Sequence, residues 1–433
     1  MIKKWLVKLQ DKIWLIPALY SLIAISLASA LAFVDFYWSQ SLTNVLPSIF
    51  FTEVPLAQTI LSGLSTSLLT MTTFTFSTIM VVLTTYASQF SPRTLKNFIT
   101  DKMTLHVLGI FLGGFIYPTL SLLFMKNSLD GQLMLSATVG VLIAIMCLAF
   151  FAIFIHHVAT SIQVSSLIDR LTTEADGVIR YYCDLQEKDD ISFFSKEYAP
   201  VAKTRVEIKA GTSGYIQYAD YDKLFSLAKE HQIYVHVNCP IGTYVNDSNS
   251  LLTVTTKKGQ TSLMKDIKHE LSGCFNIEKE RDIRQDPVYA LQKIVEVALR
   301  AISPGINDPN TANDCIRHLG KLLGQISQLP DEGWVYINED KEAYVRFSLP
   351  PFKEILYRTF FQLRHYGKAD VSVLEAMLDS LHFALENSSK KHHQDIVDMQ
   401  HYVMETIDLS NFPTLDQELI KQRMQETQRL CSF

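Results

Sequence analysis

Four long stretches without a single Asp, Glu, Lys or Arg, at residues 13–34, 54–92, 103–125 and 131–168, constrain this chain more than any other feature. Each reaches the roughly 20 helical residues that cross a bilayer core. Hydrocarbon offers no water to bond peptide groups, so runs of this kind are expected to be membrane helices. The first run is long, has no small-residue cleavage site before Asp35 and is followed by three more, so it reads as a retained anchor.

The loops set the expected orientation. Lys3, Lys4, Lys8 and Lys12 precede the first span, and Arg93, Lys96 and Lys102 lie between the second and third, whereas the two opposite loops hold only Lys126. Positive charge stays on the cytoplasmic side, which places both termini in the cytoplasm. Trp5, Trp14 and Trp38 fall near span ends, as interfacial aromatics do. Residues 1–155 carry a net +3 and the remainder −8. An acidic soluble part is unsuited to nucleic acid, whose phosphates need Lys and Arg. The six cysteines form no Cys-x-x-Cys pair, which argues against a zinc ribbon, a redox motif or a disulfide framework and fits a reducing compartment.

The second run is nearly twice the length of one crossing and crowded with Ser and Thr. A helix entering at Pro55 puts Ser62, Thr66, Thr70 and Thr73 on one face, with Ser77, Thr84 and Ser88 following. Such hydroxyls bond the carbonyl four residues back, bond a neighbouring helix, or line water. Gly109 and Gly113 make a Gly-x-x-x-Gly in the third run, where close helix packing is expected, and Pro118 follows in the same run. Inside these runs there is no charged residue of the kind that marks proton-coupled transporters or voltage sensors.

At the expected cytoplasmic interface stand Ser88, Gln89 and Arg93, with Ser91 as a helix cap and Pro92 as a first helical residue. His156 and His157 close the fourth span, and an apolar stripe continues through Val158, Ile162, Leu171, Ala175, Val178 and Tyr182, predicting one long helix out of the membrane. Adjacent histidines point to different helix faces, so they are not expected to share a metal.

Residues 202–276 turn to short runs rich in Val, Ile, Tyr and Thr, broken at Gly211, Gly214, Pro240 and Gly242 and interrupted by one helix at 220–231. That pattern suits a small β-barrel or sandwich. Asp286-Pro287 and Asp308-Pro309 each read as a cap followed by a first-turn proline. A hairpin is expected around 334–347 and helices over 352–366, 371–387, 394–407 and 415–430, a helical bundle. The fold class is therefore an α-helical membrane protein with four transmembrane helices and an α+β cytoplasmic domain. Expected boundaries are a membrane part at 1–160, a connector at 161–199, a β-rich part at 200–280 and a helical part at 281–433.

Several of these residues carry a likeness. Ser88, Gln89, Phe90, Ser91, Pro92 and Arg93, the pair His156 and His157, Ser213, Gly214, Tyr215, Ile216 and Gln217, and above all Ser303, Pro304, Gly305, Ile306, Asn307, Asp308 and Pro309 occur together. In this the chain resembles the bacterial predicted membrane proteins called domain of unknown function 2254, from the second span to about Leu322. Members often have Phe where this chain has Asn310. The resemblance implies a four-span protein of the bacterial inner membrane and no established activity.

No phosphate loop, nucleophile elbow, zinc helix or dinucleotide fingerprint is present, so no catalytic residue, metal or cofactor is assigned. Arg281, Asp282, Arg284 and Asp286 with Arg300, Asn307 and Asp308, at two helix starts with arginines nearby, are the best candidate for holding an anion, with Arg284, Arg300, Asn307 and Asp308 as its ligands, against a plain reading as caps, turns and surface salt bridges. Two functions stand. One is a homo-oligomeric channel for an ion or small solute, lined by Ser62, Thr66, Thr70, Thr73, Ser77 and Thr84 and regulated by the cytoplasmic domain. The other is a membrane-anchored sensor or scaffold that binds a cytoplasmic ligand or partner. The lipid bilayer is a partner in both.

Overall fold

A computed structural model of the chain describes residues 14–38, 47–89, 101–125, 133–161, 163–188, 190–193, 204–256, 263–337 and 343–431. They fall into two compact units, 1–166 and 167–433. Lys3, Lys4, Lys8, Lys12, Arg93, Lys96 and Lys126, on which the orientation rests together with Lys102, lie outside the described residues, as does the short helix expected after Ser91.

The first unit holds helices α1 (Leu15–Tyr37), α2 (Val54–Gln89), α3 (Lys102–Phe124) and α4 (Ser136–Ser161), all long and apolar enough to cross a membrane. Helix α3 is the central one and touches the other three. Its glycines explain why. A Cβ on Gly109 would lie 2.6 Å from the Tyr20 ring of α1, and one on Gly114 would lie 2.7 Å from Cys147 Sγ of α4. Gly113 likewise meets the backbone of Tyr20. With little hydrophobic drive between helices in lipid, close backbone approach supplies the attraction, as the Gly-x-x-x-Gly spacing predicts. From α4, Gly140 brings α2 close, since a Cβ there would come within 2.8 Å of Leu61.

At one end of this bundle strands β1 (Thr52–Glu53) and β2 (Leu133–Met134) pair antiparallel. At the other, the Asp101 side chain caps α3 by accepting from Thr104 N at 3.0 Å. The fourth span does not run on as a single helix. It ends at Ser161, and a new amphipathic helix, α5 (Val164–Gln186), begins three residues later. An unbroken apolar stripe across residues 158–182 does not reveal such a break, because periodicity reports the buried face and not the continuity of the backbone.

The second unit is built on β3 (Ile191–Phe193), β4 (Thr204–Lys209), β5 (Gly214–Ala219), α6 (Tyr221–Glu230), β6 (Ile233–Val237), β7 (Tyr244–Val245), β8 (Ser250–Thr256), α7 (Leu263–Ser272) and β9 (Phe275–Glu278). Helices α8 (Pro287–Ala301) and α9 (Pro309–Ile326), the hairpin β10 (Trp334–Ile337) and β11 (Ala343–Phe347), and helices α10 (Phe352–Gly367), α11 (Val371–Glu386), α12 (His393–Met404) and α13 (Thr414–Cys431) follow.

Of the expected small barrel or sandwich, the barrel is corrected here. Among the described residues the strands form an open six-stranded sheet ordered β3-β10-β11-β6-β8-β4 and a separate three-stranded sheet ordered β7-β5-β9, with no closed barrel. Closure fails because the later hairpin extends the sheet: β11 pairs parallel to β6, placing Val345 opposite Val235, while β5 is diverted to β7 and β9. The core is aromatic. Phe347 stacks on Tyr221 at 3.8 Å and on Trp334 at 5.5 Å, and Tyr182 of α5 lies 5.2 Å from Trp334. Gln285 is buried and acts as a surrogate strand: its Nε2 donates to Ala219 O and its Oε1 accepts from Ala219 N. Tyr182 Oη donates to the Gln285 carbonyl at 2.7 Å, so α5 is tied to the same point.

Two outcomes follow for thermal unfolding of the purified protein. Gly109→Ala lowers the unfolding temperature through overpacking worth about 1–3 kcal/mol, whereas Gly63→Ala, with nothing within 4 Å of its new methyl, leaves it unchanged or slightly raised. Gln285→Leu strands the Ala219 N–H and C=O, which costs about 1–3 kcal/mol for each buried group without a partner.

Candidate functional site

Helix α2 has two faces that differ in kind. Val54, Ala57, Leu61, Leu68, Thr75 and Val82 are buried. Ser62, Thr66, Thr70, Thr73, Ser77 and Thr84 are exposed, and at about 100° per residue they lie half a turn away from the buried set. The hydroxyl stripe is thus the part of α2 farthest from its own bundle. Exposed Leu69, Phe74, Phe76 and Val81 flank it on both sides. Helix α4, by contrast, turns Leu142, Ile145, Met146 and Leu148 outward, and α1 shows Ser26 and Ser29 among Leu19, Leu22, Ile23, Ile25 and Leu27.

The threonine hydroxyls do not wait for outside partners. Thr66 donates to Ser62 O at 3.1 Å, Thr70 to Thr66 O at 3.0 Å, Thr73 to Leu69 O at 2.9 Å and Thr84 to Met80 O at 2.9 Å. Each spends its one proton on its own helix and presents oxygen lone pairs outward. Ser65, at the margin, reaches a neighbouring helix, where its Oγ lies 2.8 Å from Thr119 Oγ1. Local back-bonding therefore satisfies the four threonines of the stripe without further partners, and these turn acceptors outward.

At the end of the bundle near Ser88 the polar groups are paired. Ser88 Oγ donates to Thr85 O, the Gln89 side chain and all of Arg93 lie outside the described residues, and His157 Nε2 sits 2.9 Å from Asp101 Oδ2. The same Asp101 oxygen takes the Thr104 N–H and hydroxyl, so the start of α3 and the end of α4 share one carboxylate. His156 is exposed and points elsewhere, as adjacent helical residues must. His106 Nδ1 meets Tyr20 Oη at 3.1 Å. Sequence reading missed the pairing of Asp101; its signal was an acid standing just ahead of a charge-free run, a position that caps the helix to come.

In the second unit the ligand candidates separate. Arg284 makes two bonds to Asp282, at 2.8 and 3.0 Å. Asp308 caps α9 through Thr311 N at 3.2 Å and takes its hydroxyl at 2.6 Å, Asn307 adopts a positive φ of 52°, and Arg300 is exposed at the end of α8. Arg284 precedes α8, Arg300 stands in its last turn, and Asn307 and Asp308 follow it, so the helix of 15 residues sets Arg284 about 20 Å from the other three along its axis.

The buried charge is one step away, at Arg281 and Asp286, two residues of the same candidate set. Asp286 is 1% exposed, caps α8 through Tyr289 N, and accepts from Arg281 Nε at 2.9 Å and Nη2 at 2.7 Å. Burial pushes its carboxyl above the ordinary range even with Arg281 beside it. Gly242, at φ 84°, lies against this pair, because a Cβ there would collide with the Asp286 carboxylate. Among the described residues no three His, Cys, Asp or Glu side chains gather as a metal site.

Asp286→Ala leaves Arg281 without its buried partner and is expected to cost on the order of 3–5 kcal/mol, read as a fall in unfolding temperature. Arg300→Ala, at an exposed site, is expected to change it little.

Comparison with known proteins adds relatives but no activity. Residues 10–382 match the family described as Predicted membrane protein (DUF2254). Two uncharacterised proteins, one from Mycobacterium bovis and one from Mycobacterium tuberculosis H37Rv, are each 27% identical over 390 residues, covering 88% of this chain and 73% of theirs. No solved structure matches.

Proposed function

Since this chain belongs to the DUF2254 family of predicted membrane proteins, we propose that it works in the bacterial inner membrane as a homo-oligomer whose α2 helices surround a shared polar path. One observation carries this reading: the hydroxyl stripe of α2 faces away from its own bundle, where a lone chain would set it in lipid. Serine, threonine and glycine at Ser62, Gly63, Thr66, Ser67 and Thr70 allow a second helix to approach closely. Oxygen lone pairs left by back-bonding suit a cation or a solute with donors, in the way that carbonyl oxygens line selective pores. The loop charges support termini in the cytoplasm, and the second unit, which has its own core, then serves as the regulatory part.

The test is the mass of the purified protein in nanodiscs, followed by planar-bilayer recording. A closed oligomer of three or more chains, with a conductance removed by Thr70→Trp or Thr73→Trp, is the expected result. A monomer without conductance contradicts it and favours the membrane-anchored sensor or scaffold.

A further inference from the structure

The bundle end closed by β1 and β2 contains a small, partly open pocket where α1 and α3 finish and α4 begins. A cavity of about 30 Å³ there is lined by Asp35, Ser121 and Ser136, with Phe124, Met125 and Met134 among its apolar walls. That volume admits one or two waters or a bare metal ion and excludes an organic ligand.

Asp35 is an acid inside the last turn of a membrane helix, and it is only 5% exposed. Its Oδ1 accepts from Leu135 N at 2.8 Å and its Oδ2 from Ser136 N at 3.2 Å, so it caps α4 from a hundred residues away. The two N–H groups and the positive end of α4 offset part of the charge. Among the described residues it forms no ion pair, and each carboxylate oxygen keeps a free lone pair. A buried carboxylate with lone pairs to spare is suited to receive a counter-charge.

The second observation is Ser121. It is 3% exposed, lines the same cavity, and its hydroxyl makes no hydrogen bond of ordinary geometry, although it stands within the electrostatic reach of the Tyr117 hydroxyl, whose own proton goes to Ser136 O. Thr70 and Thr73 of α2 satisfy the same need by bonding the carbonyl four residues back. Ser121 does not, and its oxygen remains available beside a carboxylate.

We propose that this cavity binds one partly hydrated alkali-metal cation, held by the Asp35 carboxylate and the Ser121 hydroxyl with water as its remaining ligands, Ser136 completing the polar wall. Oxygen donors alone select a hard cation. A single carboxylate neutralises a monovalent ion, whereas a divalent one would leave a buried net charge. Bound there, the cation fastens the ends of α1 and α3 to the start of α4. The site stands whether or not the chains assemble around α2.

The test is thermal unfolding of the full-length protein in nanodiscs, titrated with sodium, potassium or N-methylglucamine chloride at constant ionic strength. A ligand that binds only the folded state raises the unfolding temperature as its concentration passes Kd. Sodium or potassium is expected to give such a saturable rise and N-methylglucamine none. Ser121→Ala loses the rise but keeps the wild-type temperature in N-methylglucamine, because the Asp35 cap is intact. Asp35→Asn loses the rise and also starts lower, since an amide oxygen replaces only one of the two acceptors. Lys126→Met retains the rise, which separates a bound cation from neutralisation by the residue that follows Met125. Equal responses to all three salts, no response, or a wild-type response in Ser121→Ala would overturn the proposal and leave a water-filled cavity.

Discussion

A peptide group in hydrocarbon has no water to bond, and the membrane unit follows from that one constraint. It forces the four apolar runs into helices, and it leaves the first N–H groups of each helix to be satisfied by something else. Asp101 does this locally for α3. Asp35 does it at a distance for α4, bringing a charge into the bundle that only a buried helix end makes tolerable. The same constraint explains Thr66, Thr70 and Thr73 of α2, whose hydroxyl protons go to the carbonyl four residues back in their own helix.

Helix association then depends on how closely backbones approach. Glycines at 109, 113 and 114 let α3 lie against α1 and α4, and Gly140 brings α4 onto α2. With α3 at the centre, α2 is held by one side only. Its opposite side keeps the hydroxyls and Gly63, which has open space around it. A face of this composition is poorly matched to lipid compared with Leu142, Ile145 and Met146 on α4, and well matched to another copy of itself.

What could be read from the sequence was whatever is local. Spans, the caps at Asp286 and Asp308, the helix at Tyr221–Glu230 and the hairpin strands Trp334–Ile337 and Ala343–Phe347 each announce themselves within a few residues. The sheet did not, because the pairing of Val345 with Val235 joins segments more than a hundred residues apart. Asp35 was hidden for the same reason: it stands one residue beyond a charge-free run, and its partners begin at Leu135. In the candidate site, the exposed α2 stripe was legible as a periodicity, while the pairing of Arg281 with Asp286 against Gly242 depended on a turn that local signals place but do not aim.

The central claim is that the outward face of α2 meets other chains and a polar path instead of lipid. The most direct measurement is the collision profile of a nitroxide at position 70, compared with one at position 142 on α4, against oxygen and a water-soluble nickel chelate in nanodiscs. The account predicts that position 142 is oxygen-accessible and chelate-protected, as lipid-facing sites are, while position 70 shows the reverse. Matching lipid profiles at the two positions would contradict it.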